Sequence, residues 1–364
     1  MMIVSKQHQI FFDFLRICIG SETEIPSSLK EADWKELYCI AQKQCLVGVL
    51  FDGIKKLPTE HVWLKKELLL QWMAESQMLE NANVRLNDAA IQVSEWFRKK
   101  GFRTCILKGQ GNGLMYPNPY SRTPGDIDIW VEGGDKRVIS FVRSIAPHEK
   151  ACYHHIDFPS YKGVGVEVHY RPSFLLCFWH NRKLQKYYER VKEDQFSHRV
   201  MLGEQGEIAI PTTEFNLIFQ LTHIFSHLMN EGIGLRQLLD YYYILSMLSV
   251  NSEMLTSLQK ELKELGLWKF AGAIMYIMLE VFGLPASRLI VPPNEKYGKF
   301  VLNEVLEAGN FGKHDERNHF GKSQLGHNLQ RIYRDIRLVR YFPAEALCEP
   351  FFRTWHFFWR LRHK

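Results

Sequence analysis

Two aspartates stand one residue apart in Arg122-Thr123-Pro124-Gly125-Asp126-Ile127-Asp128-Ile129-Trp130-Val131. On a strand, alternate side chains share a face, so Asp126 and Asp128 point one way while Ile127 and Ile129 point into the core. Two carboxylates so placed repel each other. A divalent cation that prefers hard oxygen ligands removes the repulsion, and Mg²⁺ (or Mn²⁺) needs little more than one or two carboxylates plus phosphate oxygens. A third acid follows the same logic. In Gly163-Val164-Gly165-Val166-Glu167-Val168-His169 the valines define an inward face, which leaves Glu167 and His169 together on the other. If the two strands pair, Asp126, Asp128 and Glu167 meet in one cleft, the skeleton of a metal-assisted in-line displacement at phosphorus. Such chemistry needs positioning and charge neutralisation above all, so basic groups belong beside the acids. Lys108 and Arg122 occupy the right segments, and Gly109 lets the backbone approach a phosphate closely. A bare aspartate-x-aspartate is usually a solvated surface pair; its combination with Lys108-Gly109, Arg122 and the Glu167 strand makes it specific.

The elements that must hold these residues divide the chain into three segments: helical over 1–100, mixed α/β over 101–212, and helical again over 213–364. In the first, Trp34, Leu37, Ile40 and Ala41 form a helix-period stripe between Asp33 and Leu46. From Trp63 to Lys100 there is neither Gly nor Pro, which predicts one or two long helices ending at Gly101. Strands are expected at Phe102–Leu107, Asp126–Val131, Cys152–Phe158 and Val164–Tyr170, a helix at Asp135–Ile145, and a hairpin at Met201–Ile210 around its GEQG centre. Thr212 is positioned to cap a helix over Thr213–Met229, followed by helices at Leu235–Leu248, Met254–Leu265 and Lys269–Phe282. The fold class is therefore α+β: a mixed α/β core flanked on both sides by helical segments.

In Lys108-Gly109, Tyr116-Pro117, Arg122, Asp126-Ile-Asp128 and the later Glu167-Val-His169-Tyr, the chain resembles the polymerase-β-type nucleotidyltransferase superfamily, and within it an uncharacterised bacterial branch. His223 and the Leu235-Arg236-Gln237-Leu238-Leu239-Asp240 run resemble the helical portion of that branch. The resemblance implies that the α/β core is a polymerase-β-like palm whose flanking helical segments shape an acceptor pocket, and that a metal-bound NTP, ATP by the habit of the superfamily, passes its NMP to a hydroxyl of an unknown acceptor with release of pyrophosphate. Asp126 and Asp128 would be metal ligands, and Glu167 a metal ligand or general base. Lys108, Gly109, Arg122, His169, His223 and Arg236 would line the nucleotide site. The superfamily usually places Gly-Gly or Gly-Ser in its phosphate-holding turn, where this chain has Lys108-Gly109 and a longer gap to the acids. Two other readings compete: a metal-dependent glycosyltransferase, and a non-catalytic nucleotide-binding module. The first would need a β/α nucleotide-binding half before the aspartates, where the sequence reads as helix.

His223 and His227 lie four apart on one helix face, a spacing that suits packing more often than a metal. Arg236 and Asp240 share the same spacing, which predicts a helix-surface or interdomain ion pair. The net charge of +6 is confined to the end of the chain: residues 313–364 hold eleven Lys/Arg against five Asp/Glu, leaving 35 of each before them. There Arg331, Arg334, Arg337 and Arg340 recur at helical spacing. A nucleic-acid or membrane-surface contact through this tail is less favoured than a terminal helix burying Trp355, Phe358 and Trp359. No run of eighteen apolar residues and no signal-peptide order at Met1-Met2-Ile3 are present, and the seven cysteines include no C-x-x-C pair. Together these predict a cytoplasmic protein with reduced thiols, without a disulfide frame or a zinc site.

Overall fold

The computed structural model describes residues 4–58, 64–204, 206–249, 251–317 and 324–363. Trp63, the expected start of the long helix, and Gln205, in the centre of the expected hairpin, lie outside them. The chain opens with helices α1 (Lys6–Ile19), α2 (Trp34–Lys43), α3 (Val47–Lys56) and α4 (Lys66–Lys99). Short polar side chains start the first two: Ser5 accepts from the His8 N–H, and Asp33 from those of Lys35 and Glu36. The 34 residues of α4 form one unbroken helix. It stops where Gly101 turns left-handed (φ 81°) and Phe102 N–H reaches back to the Phe97 carbonyl.

The palm sheet runs β1-β2-β4-β3, from β1 (Thr104–Ile106), β2 (Ile127–Val131), β3 (His155–Tyr161) and β4 (Val164–His169). β2 and β4 pair in parallel, while β1 and β3 flank them antiparallel. A one-turn helix, α5 (Gln110–Gly113), follows β1, and α6 (Gly134–Ile145) follows β2. Alternation sorts the two faces. Ile127, Ile129 and Val131, with Val164, Val166 and Val168, form a buried core against Ala90, Val93 and Phe97 of α4 and Val138 and Val142 of α6. The even-numbered positions of β2 and the odd-numbered ones of β4 take the other face, where Trp130 packs on Phe196 and Phe215.

Helix α7 (Phe178–Ser197) and a small hairpin, β5 (Arg199–Met201) with β6 (Glu207–Ala209), close the middle of the chain. Then come α8 (Thr213–Asn230), α9 (Leu235–Met247), α10 (Ser252–Glu264), α11 (Trp268–Glu280), α12 (Glu295–Ala308), α13 (Gln324–Val339) and α14 (Pro343–Arg362). Thr212 caps α8, accepting from Phe215 N–H. One hydrophobic core joins the two ends of the chain: Phe11, Phe14 and Leu50 belong to the same cluster as Phe219, Leu238, Phe270 and Phe282.

The tail differs from expectation in both respects. Trp355 and Phe358 are exposed, Trp355 still touching Tyr153 and Phe178 at its ring edge, and only Trp359 reaches the palm core, because α14 presents Phe352 and Ala346 to the molecule and turns Phe351, Phe357 and Phe358 outward. The arginines do not form a free basic stripe either. Arg334 is buried and donates to the Asn230 and Glu231 carbonyls at the end of α8, and Arg337 pairs with Glu304. No helix among the described residues is long and apolar enough to cross a membrane.

Candidate active site

The parallel pairing of β2 with β4 sets Asp128 directly beside Glu167. Asp126 sits one residue before β2, at the exposed rim, while Asp128 is buried. One carboxylate oxygen from each of Asp126, Asp128 and Glu167 falls within 4.8 Å of the other two. The three acids thus converge as the strand periodicity requires.

Cations and imidazoles surround them. The segment after β1 continues its pairing, with Leu107 N–H donating to the Asp128 carbonyl at 2.9 Å, and then turns at Gly109 (φ 61°). A side chain at Gly109 would be strained by that backbone conformation, so glycine is what the turn demands. Through this turn Lys108 Nζ lies 2.9 Å from Asp128 Oδ1 and donates to His223 Nε2 at 3.3 Å. On β4, His169 Nε2 lies 3.0 Å from Asp128 Oδ1 and 3.5 Å from Glu167 Oε2. From β3, His155 pairs in register with His169 and brings Nδ1 to 3.4 Å from Glu167 Oε2.

These neighbours split the acids electrostatically. The charge of Asp128, then burial, holds the Asp126 carboxyl above the ordinary range despite Lys108. Burial pushes Asp128 the same way, but Lys108 and His169 outweigh it and keep the group low. Glu167 is also held low, since His169 and His155 overcome its burial. His169 is raised because its bonds to Asp128 and Glu167 overcome burial. Burial, reinforced by Lys108, keeps His223 well below the usual histidine range, so it is a neutral acceptor for the Lys108 ammonium. Burial also lowers His155, but Asp157, Cys152 and Glu167 prevail and lift it to about 10.

A pH dependence of stability follows from His155. Its pKa is raised on folding from 6.5 to about 10, so its contribution is complete below pH 6.5 and is lost as the pH climbs through about 10. Urea midpoints of the metal-free protein are expected to fall between pH 7 and pH 10, and His155→Gln to flatten that decline. An unchanged decline in the variant would assign it to other groups.

Several expected site residues stand elsewhere. Arg122 is turned away from the acids' mouth: its Nε and Nη2 donate to the two Asp240 oxygens, each at 2.8 Å, and the pair is buried. The same carboxylate accepts from Tyr116 OH at 2.7 Å and Asn112 Nδ2 at 3.1 Å. Arg236 and Asp240 therefore form no surface pair. Asp240 is consumed by Arg122, while Arg236 is buried and donates to the Thr123 carbonyl at 3.0 Å, in the loop leading to Asp126. His223 and His227 pack edge to face, as their spacing suggested, with ring centroids 4.3 Å apart, and take different polar partners, Lys108 and Glu231. Both arginines support the Arg122–Asp126 loop from below, and Asn83 of α4 supports it from the side, donating to the Tyr120 and Arg122 carbonyls at 2.8 Å each.

Sequence reasoning passed over His154 and His155. The alternation in β3 carried a usable signal, since it sets His155 and Asp157 on one face, and antiparallel pairing brings that face beside Glu167 and His169. Next to His155 a cavity of about 480 Å³ opens, lined among others by Arg143, Lys150, Asp157 and Arg360.

A profile of a family described as an uncharacterised nucleotidyltransferase matches residues 30–283, which include every residue of the site. No curated protein matches the chain. Among solved structures, an antigenic nucleotidyltransferase-like protein from Paracoccidioides brasiliensis is similar at 12% identity and a TM-score of 0.33, over 57% of this chain and 94% of that one.

Proposed function

The chain belongs to this family of uncharacterised nucleotidyltransferases, and from that premise we propose that it moves an NMP from an NTP, ATP first among them, to a hydroxyl of an acceptor, with release of pyrophosphate. The observation that carries the reading is the meeting of Asp126, Asp128 and Glu167 within 4.8 Å. Their mutual repulsion is only partly relieved, since Asp126 stays above its ordinary range. Hard oxygen donors in repulsive proximity fit a divalent cation, and Mg²⁺ or Mn²⁺ would be held by these three groups. Bound there, such an ion supplies charge neutralisation at the phosphates and lowers the pKa of a hydroxyl.

The chain's own groups do the rest. Lys108 Nζ, tethered between Asp128 and His223, is placed to turn its charge onto a phosphate oxygen, as a flexible point charge can. His169 Nε2 hydrogen-bonds Asp128 and stands 3.5 Å from Glu167 Oε2, which limits the rotation of the two carboxylates. The acceptor hydroxyl oxygen attacks the α-phosphorus as the bond to pyrophosphate breaks, and Glu167 takes the hydroxyl proton.

The test is to incubate the protein with each α-labelled NTP, Mg²⁺ or Mn²⁺ and a cell extract, and to follow the label. Transfer of label to one acceptor class with pyrophosphate release is expected. Release of a nucleoside diphosphate instead would indicate glycosyl transfer, and no transfer from any NTP would overturn the reading.

A further inference from the structure

Beyond the palm strands, two helix starts carry two ligand-type side chains apiece. Cys177 occupies the N-cap position of α7 without capping it through its side chain, and His180 lies one turn further on, so both project from the same side of that helix. Glu345 and Cys348 repeat the spacing in the first turns of α14. Donor atoms of Cys177, His180 and Glu345 all lie within 4.8 Å of one another. Cys348 follows Glu345 by three residues on the same helix, and Cys177 acts on its thiol electrostatically.

We propose that Cys177, His180, Glu345 and Cys348 form a tetrahedral zinc site that fastens the C-terminal helix α14 to α7. The separation of His180 Nδ1 from Glu345 Oε1 is 3.3 Å. That matches the edge of a tetrahedron with zinc–nitrogen and zinc–oxygen bonds of ~2.0 Å, which is about 3.3 Å. Sulfur donors favour zinc over the Mg²⁺ that suits the acids of the palm. Glu345 is already oriented to act as a ligand. Its Oε2 accepts the backbone N–H groups of Leu176 at 2.6 Å and Cys177 at 3.2 Å, leaving Oε1 toward the imidazole. Carboxylate ligands held this way by an outer hydrogen bond are the usual pattern at metal sites. Negative ligands also lie at the positive end of the 20-residue α7.

Glu345 and Cys348 lie beyond residues 30–283, so the site would bind the end of the chain to the part that the family profile covers. α14 in turn reaches the palm, where Trp359 packs on its core and the His363 carbonyl accepts from Arg143.

The experiment uses the full chain, purified in reductant, with zinc measured by mass spectrometry and the site probed by Co²⁺ titration. One zinc per chain is expected, and cobalt should give the strong visible bands of a tetrahedral site with thiolate charge transfer. Cys177→Ser and Cys348→Ser should each lose the zinc and the charge-transfer band. Glu345→Gln, which keeps an oxygen acceptor for the Leu176 and Cys177 N–H groups, should weaken zinc binding at least about tenfold with the helix content unchanged. Cys152→Ser controls for the other thiol–imidazole cluster, Cys152, His154 and His155, and should leave the spectrum intact. The proposal is overturned if wild-type protein shows no thiolate–cobalt band. It also fails if the band survives Cys177→Ser but vanishes in Cys152→Ser, or if Cys177 and Cys348 form a disulfide that reductant with zinc does not replace.

Discussion

Replacing Asp126 and Asp128 together with asparagine is expected to reduce metal-dependent NTP turnover by roughly 10³-fold or more, the scale on which electrostatic groups at a transition state act. The two positions should behave differently in stability. Asp126 is exposed and held high chiefly by the charge of Asp128, so Asp126→Asn removes a repulsion and should leave the unfolding midpoint unchanged or slightly raised. Asp128 is buried and accepts from Lys108 and His169, so Asp128→Asn strands two cations and should cost about 1–3 kcal/mol. Asp126→Asn alone is therefore the cleaner catalytic test: a loss of label transfer with an undiminished melting temperature. Turnover by the double variant at the wild-type rate would remove the acids from the chemistry.

Asp240→Ala is expected to be the most damaging single substitution for stability. It would leave the Arg122 guanidinium, 6% exposed at its side chain, without its bidentate partner, and would orphan Tyr116 OH and Asn112 as well. Breaking a buried ion pair from one side costs about 3–5 kcal/mol. Replacing both partners with apolar residues of similar volume, Arg122→Met with Asp240→Leu, should recover much of the loss, because neither buried charge is then left alone. Urea unfolding of Asp240→Ala and of the double variant measures this. A further variant, Arg122→Lys, decides what Arg122 is for. A phosphate ligand would raise the KM for NTP when replaced by lysine while leaving the unfolding midpoint alone, whereas the bidentate pairing with Asp240 predicts the reverse.

What could be read beforehand depended on distance along the chain. The palm strands and their polar faces were legible because period-two alternation is local: Ile127 and Ile129, then Val164, Val166 and Val168, define the inner face and place the acids by exclusion. The helical character of residues before Gly101, which speaks against a β/α nucleotide-binding half there, was equally local. Helix α7 was missed although Asn181, Leu184 and Tyr188 give it a buried stripe, since its overall polarity masks the pattern. Partners far apart in sequence were not legible. Arg122 stands four residues before Asp126 and looks like part of the same site, yet its carboxylate comes from α9, 118 residues away. His155 escaped for the same reason, as its meaning depends on β3 lying antiparallel beside β4. The tail misled differently: an arginine repeat is the same in sequence whether it faces water or caps carbonyls, and only the end of α8 decides that for Arg334.

The hold of α4 on the Tyr120–Arg122 turn through Asn83 has an implication for genetics. Asn83 lies on a helix that contributes no acid, base or cation to the chemistry, yet its amide anchors the backbone that leads into Asp126. A random-mutagenesis screen for lost activity should therefore collect alleles at this position alongside those of the acids. Such alleles would be folded and metal-competent, and a suppressor that shortens the reach between helix and turn would restore them.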